Sequence, residues 1–156
     1  MEIEIGIPEA DRKKIAEGLA HVLADTYTLY LKTHHYHWNV KGPHFNTLHT
    51  MFEEQYRDLW AATDELAERI RALGEYAPGT YAEFSKLTEI QEDNSVPTAK
   101  QMIANLVKGH ETVTRVARKV ADTADEADDQ ATADLLTARM AANEKYAWML
   151  RSMLEE

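Results

Sequence analysis

The 156-residue sequence contains no cysteine, which excludes disulfide bonds, thiolate metal ligands and cysteine nucleophiles. Glycine and proline are also scarce, at six and four residues, and aromatic residues make up only 8%. Long stretches without helix breakers favour helices and give little support to a β-rich fold. No apolar run approaches the length of a membrane span, so no membrane association is expected. The 44% of hydrophobic residues is enough for one buried core, and we expect a single domain over residues 1–156.

Acidic residues outnumber basic ones and give a net charge of −10. Such a surface repels the phosphates of nucleic acids and attracts cations. The first five residues include Glu2 and Glu4 and lack a basic region followed by an apolar one. No signal peptide is therefore expected, and the expected location is the cytoplasm.

Apolar residues recur at helical spacing in four long stretches and one short one. The first stretch ends before Gly42-Pro43, and Gly74 is placed to cap the second. An acidic segment is expected to separate the last two helices. The predicted helices span residues 9–39, 46–73, 80–92, from about 97 to the acidic segment at 122–129, and from there towards the C-terminus.

The connections between these helices predict how they are arranged. The first loop is short, so the first two long helices should be antiparallel neighbours. The connection between the second and third long helices is long and must run the length of the bundle. This pattern predicts an all-α, ferritin-like four-helix bundle, with a short helix inside the crossover.

Five potential metal ligands lie on the first two helices: His37 on the first, and His49, Glu53, Asp64 and Glu68 on the second. His49 and Glu53 are four residues apart, as are Asp64 and Glu68, so each pair shares one helix face. The two pairs point within roughly 60° of each other but lie about 22 Å apart along the axis. One copy of the helix therefore cannot bring both pairs to one metal ion, because ligands must come within about 2–2.5 Å of it.

A second, antiparallel copy of the chain would solve this problem. Across a two-fold axis, His49 and Glu53 of one subunit would face Asp64 and Glu68 of its partner, giving two equivalent sites per dimer. Mixed imidazole and carboxylate ligands suit iron, manganese or zinc. The alternative, a di-iron site inside one bundle, uses Glu-x-x-His pairs. No glutamate here precedes a histidine by three residues, so the interface site is favoured.

The sequence also resembles a known family. The segment HWNVKGPHF at 37–45, followed by LH at 48–49, FE at 52–53 and DELAER at 64–69, is similar to the signature of Dps proteins. These are bacterial mini-ferritins, named as DNA-binding proteins from starved cells. The resemblance covers the whole chain, and its most specific part is the His-Trp-Asn segment with a second histidine twelve residues after the first.

The resemblance implies a hollow shell of twelve subunits with ferroxidase centres at two-fold interfaces. In these centres His37 and His49 would come from one subunit, and Asp64 and Glu68 from its partner. Glu53 stands where some members have aspartate, and its longer side chain would affect the second, weaker iron position. The implied chemistry is oxidation of Fe(II) by hydrogen peroxide, or more slowly by oxygen, with Fe(III) oxide stored in the cavity to protect the cell from oxidative stress.

The resemblance also implies roles for two tryptophans and two aspartates, each of which could instead have a purely structural role. Trp38 and Trp148 match aromatic residues near the centre, where they would either quench stray oxidising equivalents or simply pack. Asp129 and Asp134 would line a pore that admits iron, although Asp129 could instead cap the fourth long helix. The family name suggests DNA compaction as an alternative function. Neither end of this chain offers a polycation, so DNA binding is expected to be weak.

Overall fold

The computed structural model describes residues 1–155, which form five helices and no strand. The helices are α1 (Glu9–Asn39), α2 (Phe45–Ala72), α3 (Tyr81–Leu87), α4 (Ala99–Glu126) and α5 (Gln130–Ser152). The four long helices form a bundle, and the short α3 packs against α1. Within this part of the chain, no helix combines the length and apolar character that crossing a membrane requires. The predicted ferritin-like bundle is confirmed.

The four long helices run up, down, down and up, with one crossover between the second and third. His37 at the end of α1 lies beside His49 near the start of α2, so these two helices are antiparallel. The connection through α3 then returns the chain to the other end, because α4 is also antiparallel to α1. Gly18 of α1 faces Val120 of α4 so closely that an added Cβ would lie 2.8 Å from the valine side chain. Glycine at this position therefore allows a close approach of α1 and α4.

Apolar stripes from all four long helices meet in the core. Burying a leucine or phenylalanine side chain of this kind contributes roughly 1.5–3 kcal/mol relative to exposure. The largest fully buried side chains are Tyr36, Phe52, Ile15, Leu19, Leu29, Leu48, Leu59, Leu66, Ile70, Leu73, Met102 and Leu106. The ligand-bearing ends of α1 and α2 are thus fixed by packing along most of their length.

The end of α2 is as predicted, whereas the end of α4 is not. Gly74 adopts a left-handed conformation (φ 100°) just after α2, as its capping position predicts. The predicted acidic break at 122–129 is wrong, since α4 continues to Glu126 and only residues 127–129 separate it from α5. Ala121 and Ala124 are buried and extend the apolar stripe, while the acidic residues around them lie on the exposed face. The helix ends where Asp128 adopts φ 57°.

The short helix α3 is shorter than the predicted span of 80–92. After Leu87 the backbone becomes extended, because Asp25 on α1 binds the crossover. The Asp25 carboxylate accepts hydrogen bonds from the Thr88 hydroxyl and the Glu89 N–H, both at 2.7 Å. These bonds fix the crossover on the outer side of α1.

Candidate metal centre

His37 and His49 orient each other through two reciprocal hydrogen bonds. The Nδ1 of each ring donates to the backbone carbonyl oxygen of the other residue, both at 2.7 Å. The two rings stack with their centroids 3.8 Å apart and their planes 14° from parallel. The carbonyl of His37 is available because α1 ends two residues later, at Asn39. With Nδ1 occupied in both rings, Nε2 is the nitrogen left to bind a metal ion.

The Glu53 carboxylate lies one helical turn beyond His49, next to the two rings. Its Oε1 is 3.9 Å from Nε2 of His37, and its Oε2 is 3.5 Å from Nε of Arg57. His37 is buried, whereas the glutamate side chain is 42% exposed. This corner of the molecule therefore combines two imidazole nitrogens with one carboxylate, and it opens to the surface on the carboxylate side.

Asp64 and Glu68 lie farther along the exposed side of α2. The two ligand pairs are about 22 Å apart along a regular helix. Within residues 1–155 of a single chain, no group of three or more histidine, aspartate and glutamate side chains is arranged to hold a metal ion. The structure places the stacked rings of His37 and His49 beside Glu53, short of a three-ligand metal geometry in the single chain, and leaves Asp64 and Glu68 apart from them.

Aromatic rings surround the two histidines. The His34 ring stacks between Tyr56 and Trp38, with both centroid distances at 3.9 Å, and its Nδ1 is 3.1 Å from the Tyr30 hydroxyl. Burial lowers the pKa of His34, and the neighbouring His37 and Arg57 add to this effect. His34 therefore packs against the centre, and its Nδ1 is engaged by a tyrosine.

The two tryptophans expected near the centre differ in their surroundings. Trp38 is 61% exposed and lies beside the centre through its contact with His34. Trp148 is 60% exposed on α5, and no ring contact joins it to His37 or His49 in the described residues. A role for either in quenching oxidising equivalents stays a prediction.

The two acids predicted to line a pore also differ. Asp129 is 2% exposed, accepts a hydrogen bond from the Thr132 N–H as the cap of α5, and pairs with Arg69 at 2.9 Å. Its carboxylate is therefore occupied within its own chain, and the structure shows the capping role alone. Asp134 is exposed on the first turns of α5. A pore lined by either residue stays a prediction.

Comparison with known proteins agrees with the fold. A family model for the ferritin-like domain matches residues 16–156. The class is therefore that of ferritin-like helical proteins. The chain is 44% identical over 155 residues to an uncharacterised low temperature-induced protein of Nostoc, covering 98% of this chain and 87% of that protein.

Two other relatives identify the family. The DNA protection during starvation protein 2 of Bacillus anthracis is 39% identical over 144 residues, covering 92% of this chain and 99% of that protein. A Vibrio cholerae Dps crystal structure superposes with a TM-score of 0.94 at 31% identity, covering 99% and 98% of the two chains. That protein is described as a member of a broad superfamily of ferritin-like diiron-carboxylate proteins. The chain belongs to the Dps family.

Proposed function

We propose that this protein is a ferroxidase and iron-storage mini-ferritin of the bacterial cytoplasm. In this proposal Fe(II) is the substrate, hydrogen peroxide or oxygen is the oxidant, and Fe(III) oxide is stored inside a shell of twelve subunits. The observation that carries the proposal is the reciprocal hydrogen bonding of His37 and His49. It leaves both Nε2 atoms for metal ions beside Glu53.

The centre requires a partner subunit to supply further carboxylates. If two α2 helices pack antiparallel about a two-fold axis, His49 and Glu53 of one chain face Glu68 and Asp64 of the partner subunit. The axis then crosses α2 between residues 58 and 59. Trp60 lies next to this point and is 62% exposed in the single chain. An exposed tryptophan at the centre of a packing face supports association there, because large aromatic side chains commonly anchor interfaces.

The chemistry balances when two Fe(II) ions react with one peroxide molecule. Each Fe(II) gives up one electron, the O–O bond of hydrogen peroxide is cleaved, and two protons complete two water molecules. Because both electrons are delivered together, no hydroxyl radical is released. Carboxylates such as Glu53, Asp64 and Glu68 favour the harder Fe(III) ion, which helps to drive oxidation. Zinc or manganese would bind the same ligands as substitutes for iron.

The proposal is tested by measuring peroxide consumption when Fe(II) is added to the assembled protein, together with the mass of the assembly. We expect about two Fe(II) oxidised per peroxide, at a shell mass of about twelve subunits. One Fe(II) per peroxide, with hydroxyl radical captured by a spin trap, would contradict the paired mechanism. Absence of iron oxidation above the protein-free rate would contradict the ferroxidase function itself.

DNA protection is a second candidate, favoured by the name of several relatives. The net charge of −10 argues against direct binding to DNA phosphates. A gel-shift assay at low salt, with and without magnesium, separates the two modes of binding. We expect little or no shift without magnesium, and any shift with it would indicate binding bridged by the cation.

A further inference from the structure

Three buried side chains in the middle of the bundle carry polar atoms that bond to no other described group, and they lie near Arg139, whose Nε also has no partner. Gln55 on α2 is 1% exposed, and His110 on α4 and Asn143 on α5 are both 0% exposed. Within residues 1–155, no hydrogen-bond partner is found for Oε1 and Nε2 of Gln55, Nε2 of His110 or Nδ2 of Asn143. Leaving such an atom unsatisfied costs about 1–3 kcal/mol, so these four atoms and Nε of Arg139, all in one region, require an explanation.

His110 and Asn143 occupy the same level of the bundle, beside Arg139. Nδ1 of His110 lies 3.3 Å from Oδ1 of Asn143, which joins α4 to α5 at this level. On α2, Asp58 pairs with Arg139 at 2.8 Å. Burial and the same Asp58 carboxylate raise the pKa of Tyr146. Asp58 therefore interacts with α5 both before Asn143, at Arg139, and after it, at Tyr146.

Gln55 precedes Asp58 by three residues, so it lies about one helical turn from the level of Asn143. Its low exposure shows that its amide is enclosed between the helices rather than directed to solvent. Asp58 and Arg139 are also charged neighbours of His110, so the free atoms of Gln55, His110 and Asn143 lie in one region of the core, the polar layer.

The donors and acceptors of the polar layer are mixed, and this determines what could bind there. Because Nδ1 of His110 donates to Asn143, Nε2 is an acceptor, and burial keeps the ring neutral by lowering its pKa to about 4. Oε1 of Gln55 is a second acceptor. The amide nitrogens of Gln55 and Asn143 are donors.

A metal cation would be repelled by the amide hydrogens and by the Arg139 guanidinium. An anion would be repelled by the two acceptors, and the Asp58 carboxylate already neutralises Arg139. A water molecule donates and accepts, and buried waters typically make about three hydrogen bonds to groups that have no other partner. We propose that Gln55, His110 and Asn143 form a hydrated site in the bundle core, in which ordered water joins α2 to α4 and α5. This site is separate from the metal centre, and the inference does not depend on the proposed function.

A crystal structure of the metal-free assembly, at a resolution that shows ordered water, tests this directly. We expect water density about 2.7–3.2 Å from Nε2 of His110 and from the Gln55 amide. A layer without water, closed by direct hydrogen bonds of Gln55 to His110 or Asn143, would overturn the proposal. Density refining at metal–ligand distances of about 2.0–2.2 Å would overturn it as well.

A pair of variants tests whether Gln55 belongs to the site. Gln55→Met keeps the length and approximate volume of the side chain but removes both polar atoms, so the core should still pack. We expect the water beside Nε2 of His110 to be lost or displaced in this variant. Gln130→Met changes an exposed glutamine at the start of α5 and should leave that water in place. Unchanged water in Gln55→Met would exclude Gln55 from the site.

Discussion

His37 and His49 each donate a hydrogen bond from Nδ1 to the carbonyl oxygen of the other, at 2.7 Å in both directions. The pair therefore fixes the ring orientations of both residues and ties the end of α1 to the start of α2. Such bonds from a ligand's second nitrogen orient it for binding and select the tautomer that binds through Nε2. The two nitrogens are thus arranged by the fold of one chain, before any metal ion binds.

Loss of either distant carboxylate should stop fast iron oxidation while leaving the fold intact. Asp64→Ala and Glu68→Ala each remove an exposed side chain of α2. We expect the initial Fe(II) oxidation rate to fall more than about 10-fold. Mutating residues that only hydrogen-bond to metal ligands already lowers metal affinity or activity 10–100-fold. Glu53→Ala should slow oxidation of the second iron more than the first. Collapse of the oligomer in these variants, measured by its mass, would show that the carboxylates are mainly structural.

Replacing Asp129 should destabilise the protein, because its carboxylate is buried between Arg69 and the first turn of α5. Asp129→Ala removes the helix cap and leaves the Arg69 guanidinium without this partner, at a combined cost of about 2–4 kcal/mol. Asp134→Ala, at an exposed position of the same helix, should change stability by less than about 0.5 kcal/mol. Denaturant midpoints of the two variants measure the difference, and equal midpoints would contradict the capping role.

The uptake of iron should depend on the exposed acid near the start of α5. Asp134→Asn keeps the size of the side chain and removes its charge. If symmetry copies of Asp134 concentrate Fe(II) at a pore, uptake should be slower in this variant at low salt and equal to the parent at high salt. A stopped-flow series across ionic strength measures this. Equal uptake at low salt would mean that iron reaches the cavity by another route.

The crossover should contribute less to stability under acid conditions. Hydrogen bonds from Ser95 and Tyr36 lower the pKa of Asp93 to about 2. Because the folded pKa is depressed, this stabilisation is present above the usual aspartate pKa of 3.8 and is lost as the pH falls towards about 2.

A Ser95→Ala variant tests this dependence, because it removes the main cause of the depressed pKa. We expect its unfolding midpoint to be below that of the parent at pH 7, and the difference to shrink as the pH falls below about 4. A difference that stays constant between pH 7 and pH 3 would show that Asp93 ionisation is not responsible.

The main helices and the spacing of the ligand pairs could be predicted from the sequence, because each follows a simple helical periodicity. The apolar stripe and the Gly42-Pro43 stop gave α1 its observed limits, Glu9–Asn39. The spacing of His49, Glu53 and Asp64 on α2 follows from helix geometry alone.

Other features depend on contacts between helices, which periodicity does not contain. The acids at 122–126 suggested a loop, yet they occupy the exposed face of a helix whose buried face is made by alanines. Gln55 and Asn143 are buried in the core. The sequence alone does not distinguish a buried glutamine or asparagine from an exposed one. The reciprocal bonds of His37 and His49 likewise required the packing of α1 on α2.

The most direct test of the shared centre is a mixing experiment with two inactive variants. One carries His37→Ala and His49→Ala, and the other carries Asp64→Ala and Glu68→Ala. Each alone should oxidise Fe(II) no faster than the protein-free control. When the two are refolded together, half of the dimers are mixed, and each mixed dimer contains one intact centre of two. We therefore expect recovery to about one quarter of the parent rate, as two-fold symmetry requires. No recovery, despite mixed oligomers confirmed by mass, would contradict a centre shared between subunits.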